Sequence, residues 1–135
     1  MASADEIQLA WRGWVANAEL NWLHAEAFGH ALETSDWSAR LDRYSAGWVV
    51  ARDERGLVGF VNVAGDGGVH AFLLDTCVAR RARGRGIGAR LVRSAVDGAR
   101  AAGCQWLHVD YTQDLAPFYE DACGFRPTAA GLLAL

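Results

Sequence analysis

The feature that most constrains the fold is a strand, a glycine-rich loop and a helix in direct succession over residues 74–102. Leu74 to Val78 form a short apolar run, which predicts a buried strand. The loop that follows, RGRGIG at residues 83–88, places three glycines among arginines. From Ile87 onward, apolar side chains recur at helical spacing and predict a helix with one apolar face: Leu91, Val92, Ala95, Val96 and Ala99.

The junction between this strand and this helix has the properties of an anion-binding site. Gly86 and Gly88 have no Cβ atom, so a ligand can approach the backbone amides closely. The first amides of a helix have no partner within the helix and lie at the positive end of its dipole. The sequence therefore predicts that the loop and the start of the helix bind a phosphate group.

The charge distribution agrees with one small phosphate site rather than a nucleic-acid surface. Residues 79–93 hold six arginines and no acid, whereas the rest of the chain carries seven arginines against sixteen acids, a net charge of −9. Nucleic-acid-binding domains usually present a broader basic face. We therefore expect a single polyphosphate ligand and no nucleic-acid partner.

A dinucleotide-binding domain is the rival interpretation of the same glycines. Gly84-x-Gly86-x-x-Ala89 fits part of that fingerprint, and Asp110 lies about where the ribose-binding acid would be. In that fold, however, the glycines follow the strand directly, and here residues 79–83 intervene. The 25 residues after Asp110 are also too few to complete a doubly wound sheet. The dinucleotide interpretation is therefore disfavoured.

The rest of the chain predicts an alternation of strands and helices typical of a mixed α/β domain. A hairpin turn is expected at residues 53–56 and helix ends at Gly29 and Gly103, with Ser35 or Asp36 as the N-cap of the second helix. Predicted strands cover residues 6–11, 47–51, 57–64, 69–78 and 105–111, and predicted helices cover 17–28, 37–44, 87–102 and 115–122. One or two short strands are expected within residues 125–135.

Three separate motifs resemble the GNAT superfamily of acyl-CoA-dependent N-acyltransferases. Arg83-x-x-Gly86-x-Gly88 is similar to its signature (Gln/Arg)-x-x-Gly-x-(Gly/Ala). The strand at residues 75–78 precedes that signature, and the segment FYEDACGF at residues 118–125 resembles the family's FY…GF segment. The predicted order of elements is also the GNAT order, so the resemblance covers nearly the whole chain as one domain, residues 1–135.

This resemblance implies a fold and a ligand. The fold would be a central, mostly antiparallel sheet that splays apart between its fourth and fifth strands and is flanked by helices. The ligand would be acetyl-CoA, with its pantetheine arm in the wedge between those strands. The resemblance places the arm beside the backbone of Cys77 and Val78, and the phosphates beside the loop residues Arg83, Gly84, Arg85, Gly86, Ile87, Gly88 and Ala89.

The resemblance also implies direct attack of a neutral amine on the acetyl thioester. Tyr119 matches the residue that usually donates a proton to the leaving thiolate, although it could instead be a buried tyrosine that closes the helix onto the sheet. Asp75 is the better candidate for the residue that accepts the amine proton, although it could equally be a structural strand acid. His70, His108 and Asp110 are further options, while His24 and His30 are expected at the surface or the rim of the site.

Composition limits the remaining possibilities. The chain has no lysine, which excludes a phosphate-binding Walker lysine and a lysine Schiff base. Its three cysteines lack metal-ligand spacing, so we expect reduced thiols and no metal. No apolar stretch has membrane-spanning length, and the first residues, MASADE, do not resemble a signal peptide. The sequence therefore predicts a cytoplasmic protein without a membrane partner.

The acceptor amine is the least constrained part of the prediction. Four of the six tryptophans precede residue 40, where the family binds its acceptor, and the acidic remainder of the chain suits a cationic amine. This favours a small-molecule primary amine over a protein amine. A catalytically silent acyl-CoA sensor remains the alternative from another class. Because the C-terminus is short, exposed apolar surface would favour a homodimer.

Overall fold

A computed structural model describes residues 6–135 and shows a single five-stranded sheet with helices on both faces. The strands lie side by side in chain order: β1 (Gln8–Trp11), β2 (Ser45–Asp53), β3 (Gly56–Gly65), β4 (His70–Val78) and β5 (Trp106–Val109). The helices are α1 (Asn17–Phe28), α2 (Trp37–Tyr44) and α3 (Ile87–Ala101). This is the expected mixed α/β architecture, and α1 and α2 have the predicted bounds.

The sheet is antiparallel from β1 to β4 and parallel between β4 and β5. The parallel pair follows from α3, because a helical crossover returns the chain to the same end of the sheet. Local signals set the ends of the helices. Gly29 ends α1 with φ at 69°, and the Asp36 side chain accepts a hydrogen bond from the Ala39 amide at the start of α2.

The core is built on both faces of β2 and β3, the most buried strands. On one face, Gly59 of β3 lies against Leu91 of α3, which buries the predicted apolar stripe of that helix. On the other face, Phe60 meets the Trp37 ring of α2 at a centroid distance of 5.8 Å. Each fully buried Leu, Ile or Phe side chain contributes about 1.5–3 kcal/mol, so the two layers hold β2 and β3 firmly in place.

Strands β4 and β5 diverge after a short pairing. They pair only from His70 with Trp106 to Leu73 with Val109, and β4 then continues alone to Val78. Within this lone stretch, β4 carries a β-bulge. Leu74 pairs with Asn62 and Cys77 with Phe60, so two residues of β4, Asp75 and Thr76, lie opposite one residue of β3. The edge of β4 that β5 leaves uncovered beyond Leu73, here called the wedge, therefore contains the bulge.

The segment after β5 is helical but irregular. A 3₁₀ turn at Gln113–Leu115 leads into a π-helical segment at Pro117–Ala122, where the Cys123 amide donates to the Phe118 carbonyl at 3.0 Å. The predicted helix over residues 115–122 is thus present with a wider turn. Asp114 lies within the 3₁₀ turn that precedes it. Pro117 is the first residue of this segment, where an amide hydrogen would have no partner within the helix, so a proline is tolerated there.

The prediction of one or two final strands is wrong for residues 125–135, which contain no strand. Phe125 packs against the core, but Pro127 cannot donate to a ladder, and small residues follow it. The side chains of Leu132, Leu133 and Leu135 are almost fully exposed. Because this tail buries little apolar surface, nothing offsets the entropy lost in forming another strand.

No helix among residues 6–135 combines the length and the apolar character that a transmembrane segment requires.

Candidate functional site

The glycine loop presents bare backbone at the start of α3. Gly84 and Gly86 have φ values of 80° and 74°, which L side chains rarely adopt. Gly86 is the N-cap of α3 and provides no capping side chain, and the Arg90 amide makes the first bond of this turn, to the Gly86 carbonyl. The preceding amides of the helix therefore have no partner within it. A Cβ atom at Gly86 would meet no atom within 4 Å, so the space before the loop is open.

Gly88 also has a packing role that the sequence did not predict. A Cβ atom at this position would lie 3.2 Å from the Phe118 ring. The absent side chain therefore lets the π-helical segment pack directly on the first turn of α3. The glycine motif and the FY…GF segment, which lie 30 residues apart in the sequence, form one contact in the structure.

The arginines of this region make different contacts. Arg81 binds Asp53 with two hydrogen bonds of 2.7 and 3.0 Å, and this pairing lowers the pKa of Asp53 to about 2. Arg90 donates to the Ile7 carbonyl at 3.1 Å. The Arg83 side chain donates to the Val78 carbonyl at 3.2 Å and therefore lies along the end of β4. Arg85 is exposed beside the glycines.

Cys77 and Val78 end β4 where it borders the wedge. Cys77 is 4% exposed, and burial raises the pKa of its thiol to about 12. The side chain is therefore a protonated part of the core rather than a nucleophile. Val78 pairs with Gly59 and faces the α3 side of the sheet. Beyond Leu73, β5 no longer covers this edge of β4, so an extended ligand could lie beside it.

Tyr119 is buried at the centre of an aromatic cluster. Its ring stacks on Tyr111 at 5.2 Å and meets Phe118 and Phe125 edge-on at 4.8 and 6.0 Å. Burial raises the pKa of the Tyr119 hydroxyl, and a hydrogen bond with the Thr76 side chain acts in the opposite direction. The phenol is therefore protonated at neutral pH and touches the bulge of β4.

Asp75 occupies the other position of the bulge, with φ at 60°. Its Oδ1 atom lies 3.0 Å from Nε2 of His24 in α1, while its Oδ2 atom is buried and has no hydrogen-bond partner. The guanidinium of Arg40 in α2 lies 3.9 Å from Oδ2. The bulge thus brings both predicted catalytic residues to one place, Asp75 directly and Tyr119 through Thr76.

His24 and His30 are closer to the site than the sequence indicated. His24 contacts Asp75 through one ring nitrogen and His30 through the other. Residues 24 and 75 are too far apart in sequence for any periodicity to link them. In the sequence, the only sign of this contact was the presence of two histidines near Gly29, at the end of α1.

The other predicted options for the proton acceptor lie elsewhere. His70 and His108 form an exposed pair, with Nδ1 of His70 2.8 Å from Nε2 of His108. His70 is five residues from Asp75 along β4, about 17 Å at the usual rise of a strand. Asp110 is exposed beyond the end of β5. Among residues 6–135, no three His, Cys, Asp or Glu side chains are grouped so that they could hold a metal ion.

Comparisons with known proteins agree with this geometry. The family model described as Acetyltransferase (GNAT) family matches residues 11–125. Over 59 residues, the chain is 42% identical to a protein of Oryza sativa subsp. japonica named probable glucosamine 6-phosphate N-acetyltransferase 2. That alignment covers 44% of this chain but only 35% of the relative, so the matched part spans about a third of the relative's length.

Two solved structures share the fold over almost the whole chain. The glucosamine-6-phosphate N-acetyltransferase of Arabidopsis thaliana has a TM-score of 0.74 and 15% identity, and the match covers 95% of this chain and 98% of that one. An aminoglycoside N-acetyltransferase crystallised in complex with CoA has a TM-score of 0.76 and 14% identity, with coverages of 96% and 94%. At these identities, the likeness shows the fold alone.

Proposed function

The chain belongs to the GNAT family of acetyltransferases, and on that premise we propose that it transfers an acetyl group from acetyl-CoA to a primary amine of a small molecule. The observation that carries this proposal is the wedge beyond Leu73, which opens between β4 and β5 and leads to the bare amides of the glycine loop. A thioester ligand bound along this path would place its reactive end near the bulge that holds Asp75 and contacts Tyr119.

The residues present fit coenzyme A. The loop from Gly84 to Ala89 offers unpartnered amides at a helix N-terminus, and the open space before Gly86 leaves room for a diphosphate. The guanidinium groups of Arg83 and Arg85 add positive charge nearby. The backbone of Cys77 and Val78, on the edge of β4 that β5 leaves uncovered, would bind the pantetheine arm as a further strand would.

The catalytic roles follow from the surroundings of two side chains. When bound, acetyl-CoA supplies a thioester carbonyl that a neutral amine can attack. A primary ammonium has a pKa near ~10, so a group of the protein must accept its proton, and we assign this role to Asp75. Tyr119 would donate a proton to the sulfur that leaves. Burial keeps the Tyr119 phenol protonated, as a proton donor requires.

A small-molecule acceptor is supported by the acidic character of the chain outside residues 79–93 and by the names of its relatives. Both matched rice proteins are named as acetyltransferases of glucosamine 6-phosphate, an amino sugar. A protein amine and a silent acyl-CoA-binding role are the alternatives.

Two measurements separate these possibilities. Calorimetry with acetyl-CoA tests binding, and we expect a micromolar Kd; no heat at millimolar acetyl-CoA would remove the proposal. Release of the CoA thiol then tests transfer, with glucosamine 6-phosphate, kanamycin, phenylethylamine, spermidine and a lysine-containing peptide as acceptors. Binding without thiol release from any amine would favour the sensor role, and release with the peptide alone would favour a protein acceptor.

A homodimer is also part of the proposal. Phe72, Leu74 and Trp106 are exposed apolar side chains on the neighbouring strands β4 and β5. If a second copy of the chain covered this surface, these apolar side chains would be removed from water, which favours association. Sedimentation equilibrium would decide between a monomer and a dimer.

A further inference from the structure

Three side chains form a continuous chain of hydrogen bonds from the bulge to the surface. Asp75 Oδ1 lies 3.0 Å from His24 Nε2, and His24 Nδ1 lies 2.6 Å from His30 Nε2. His30 Nδ1 then lies 2.7 Å from the carbonyl oxygen of Ala31. Solvent access increases along this chain, since the Asp75 and His24 side chains are 19% and 20% exposed and the His30 side chain is 30% exposed.

The number of hydrogen bonds in this network sets the number of hydrogens that its side chains must carry. A carbonyl oxygen only accepts, so Nδ1 of His30 carries a hydrogen and Nε2 of a neutral His30 must accept one from His24. Nε2 of His24 then has no hydrogen left for Asp75. Two neutral imidazoles supply two protons, but three hydrogen bonds require three. When all three hydrogen bonds are formed, Asp75 and the two rings therefore share one extra proton.

We propose that Asp75, His24 and His30 form a proton relay that removes the proton from the acceptor amine and delivers it to solvent. This inference rests on the proposed acetyltransferase function. In the step itself, an N–H bond of the ammonium breaks, its electron pair stays on nitrogen, and the proton moves to a carboxylate oxygen of Asp75. The arrival of this proton completes the set of three hydrogen bonds. The proton then moves from Asp75 to Nε2 of His24, the hydrogen of His24 Nδ1 moves to Nε2 of His30, and Nδ1 of His30 releases its hydrogen to water. Both rings must change tautomer before the next turnover.

The charged groups around the relay favour this direction. Arg40 of α2 lies 3.9 Å from Oδ2 of Asp75, and its positive charge disfavours a proton at that end. Glu33, in the segment between α1 and α2, lies 3.8 Å from Nδ1 of His30, and its negative charge favours a proton at the outer end. These are the charged side chains within salt-bridge distance of the relay among residues 6–135. The proton is therefore drawn from the wedge toward the surface.

The backbone of Asp75 has a left-handed conformation that non-glycine residues seldom adopt. A non-glycine residue with φ at 60° is strained, and such residues concentrate at functional sites. Oδ2 of Asp75 is buried without a hydrogen bond, so one acceptor position of the carboxylate remains free. A purely structural acid would be expected to use both oxygens.

The kinetic test compares two relay variants with a matched histidine control. The acceptor is the amine of the panel with the highest turnover, and kcat/KM is measured against pH. We expect His24→Gln to lower kcat/KM by roughly 10²-fold and His30→Gln by roughly 10-fold, with unchanged acetyl-CoA affinity. Both should alter the acidic limb of the profile, because the relay must lose its stored proton before it can act. Added imidazole should restore part of the activity of His30→Gln, whose side chain is partly exposed.

His70→Gln is the control, since it removes a histidine from an exposed histidine pair and should leave the profile unchanged. If both relay variants keep the wild-type pH profile while they bind acetyl-CoA normally, the relay is overturned.

A second measurement does not depend on turnover. Nitrogen-15 NMR of the imidazole rings in the ligand-free protein should show both Nδ1 atoms protonated and a single extra proton shared with Asp75. Asp75→Asn should change this protonation pattern, whereas the His70–His108 pair should be unaffected. Two histidines that titrate independently of each other and of Asp75 would overturn the relay. Absence of turnover with every amine would instead refute the proposed function, so the two failures can be told apart.

Discussion

Replacement of Gly86 by alanine tests the assignment of the glycine loop most directly. Gly86 has φ at 74°, and an L residue in this conformation is destabilised by roughly 1–2 kcal/mol. The added Cβ atom would meet no protein atom within 4 Å and would project into the space assigned to the diphosphate. Loss of one hydrogen bond to a charged group weakens binding by about 1.5–3 kcal/mol, or about 10- to 100-fold in Kd. We therefore expect both a less stable protein and weaker binding of acetyl-CoA.

Two matched variants separate the conformational effect from the loss of the ligand contact. Gly29 ends α1 with φ at 69°, also in open space, so Gly29→Ala should lower the free energy of unfolding by a similar amount without any effect on binding. Gly86→Asn should regain part of the stability, because asparagine tolerates this conformation, but should still bind weakly. Urea denaturation gives the free energies of unfolding, and calorimetry gives the Kd. If Gly86→Ala loses stability like Gly29→Ala but binds acetyl-CoA as wild type does, the loop does not bind the diphosphate.

Three further predictions concern the roles assigned to other side chains. Tyr119→Phe should lower kcat by about 10²-fold without a change in acetyl-CoA affinity, whereas Tyr111→Phe should not; equal turnover in wild type and Tyr119→Phe would make Tyr119 structural. Because burial raises the pKa of Cys77 to about 12, this thiol should be the last of the three to react with a disulfide reagent at pH 8, and Cys77→Ala should retain activity. Rapid labelling of Cys77 that abolishes turnover would contradict this. Because the hydrogen bonds from Arg81 lower the pKa of Asp53 from 3.8 to about 2, the pair contributes stability above pH 3.8 and loses it as the pH falls through 2. Asp53→Asn should therefore cost under about 1 kcal/mol at pH 7 and much less near pH 2, as pH-dependent denaturation would show.

Much of the fold and half of the candidate site could be predicted from short-range signals. Glycines and side-chain caps set the ends of α1 and α2, and the glycine turn set the hairpin between β2 and β3. The strand, loop and helix at residues 74–102 could likewise be predicted, because hydrophobic periodicity and glycine positions are patterns within short stretches of sequence. The family motifs added the expectation of a wedge beside β4, which the structure confirms.

What the chain alone determined was therefore most of the helices and strands and the bare backbone of the glycine loop. Tertiary structure decided the rest, because it depends on contacts between residues that are distant in sequence. Pairing of β4 with β3 places the bulge at Asp75, and only the packing of α1 on the sheet brings His24 to it. Packing also decided against strands after residue 122, since a strand forms only where it can bury enough apolar surface to offset the entropy of ordering it.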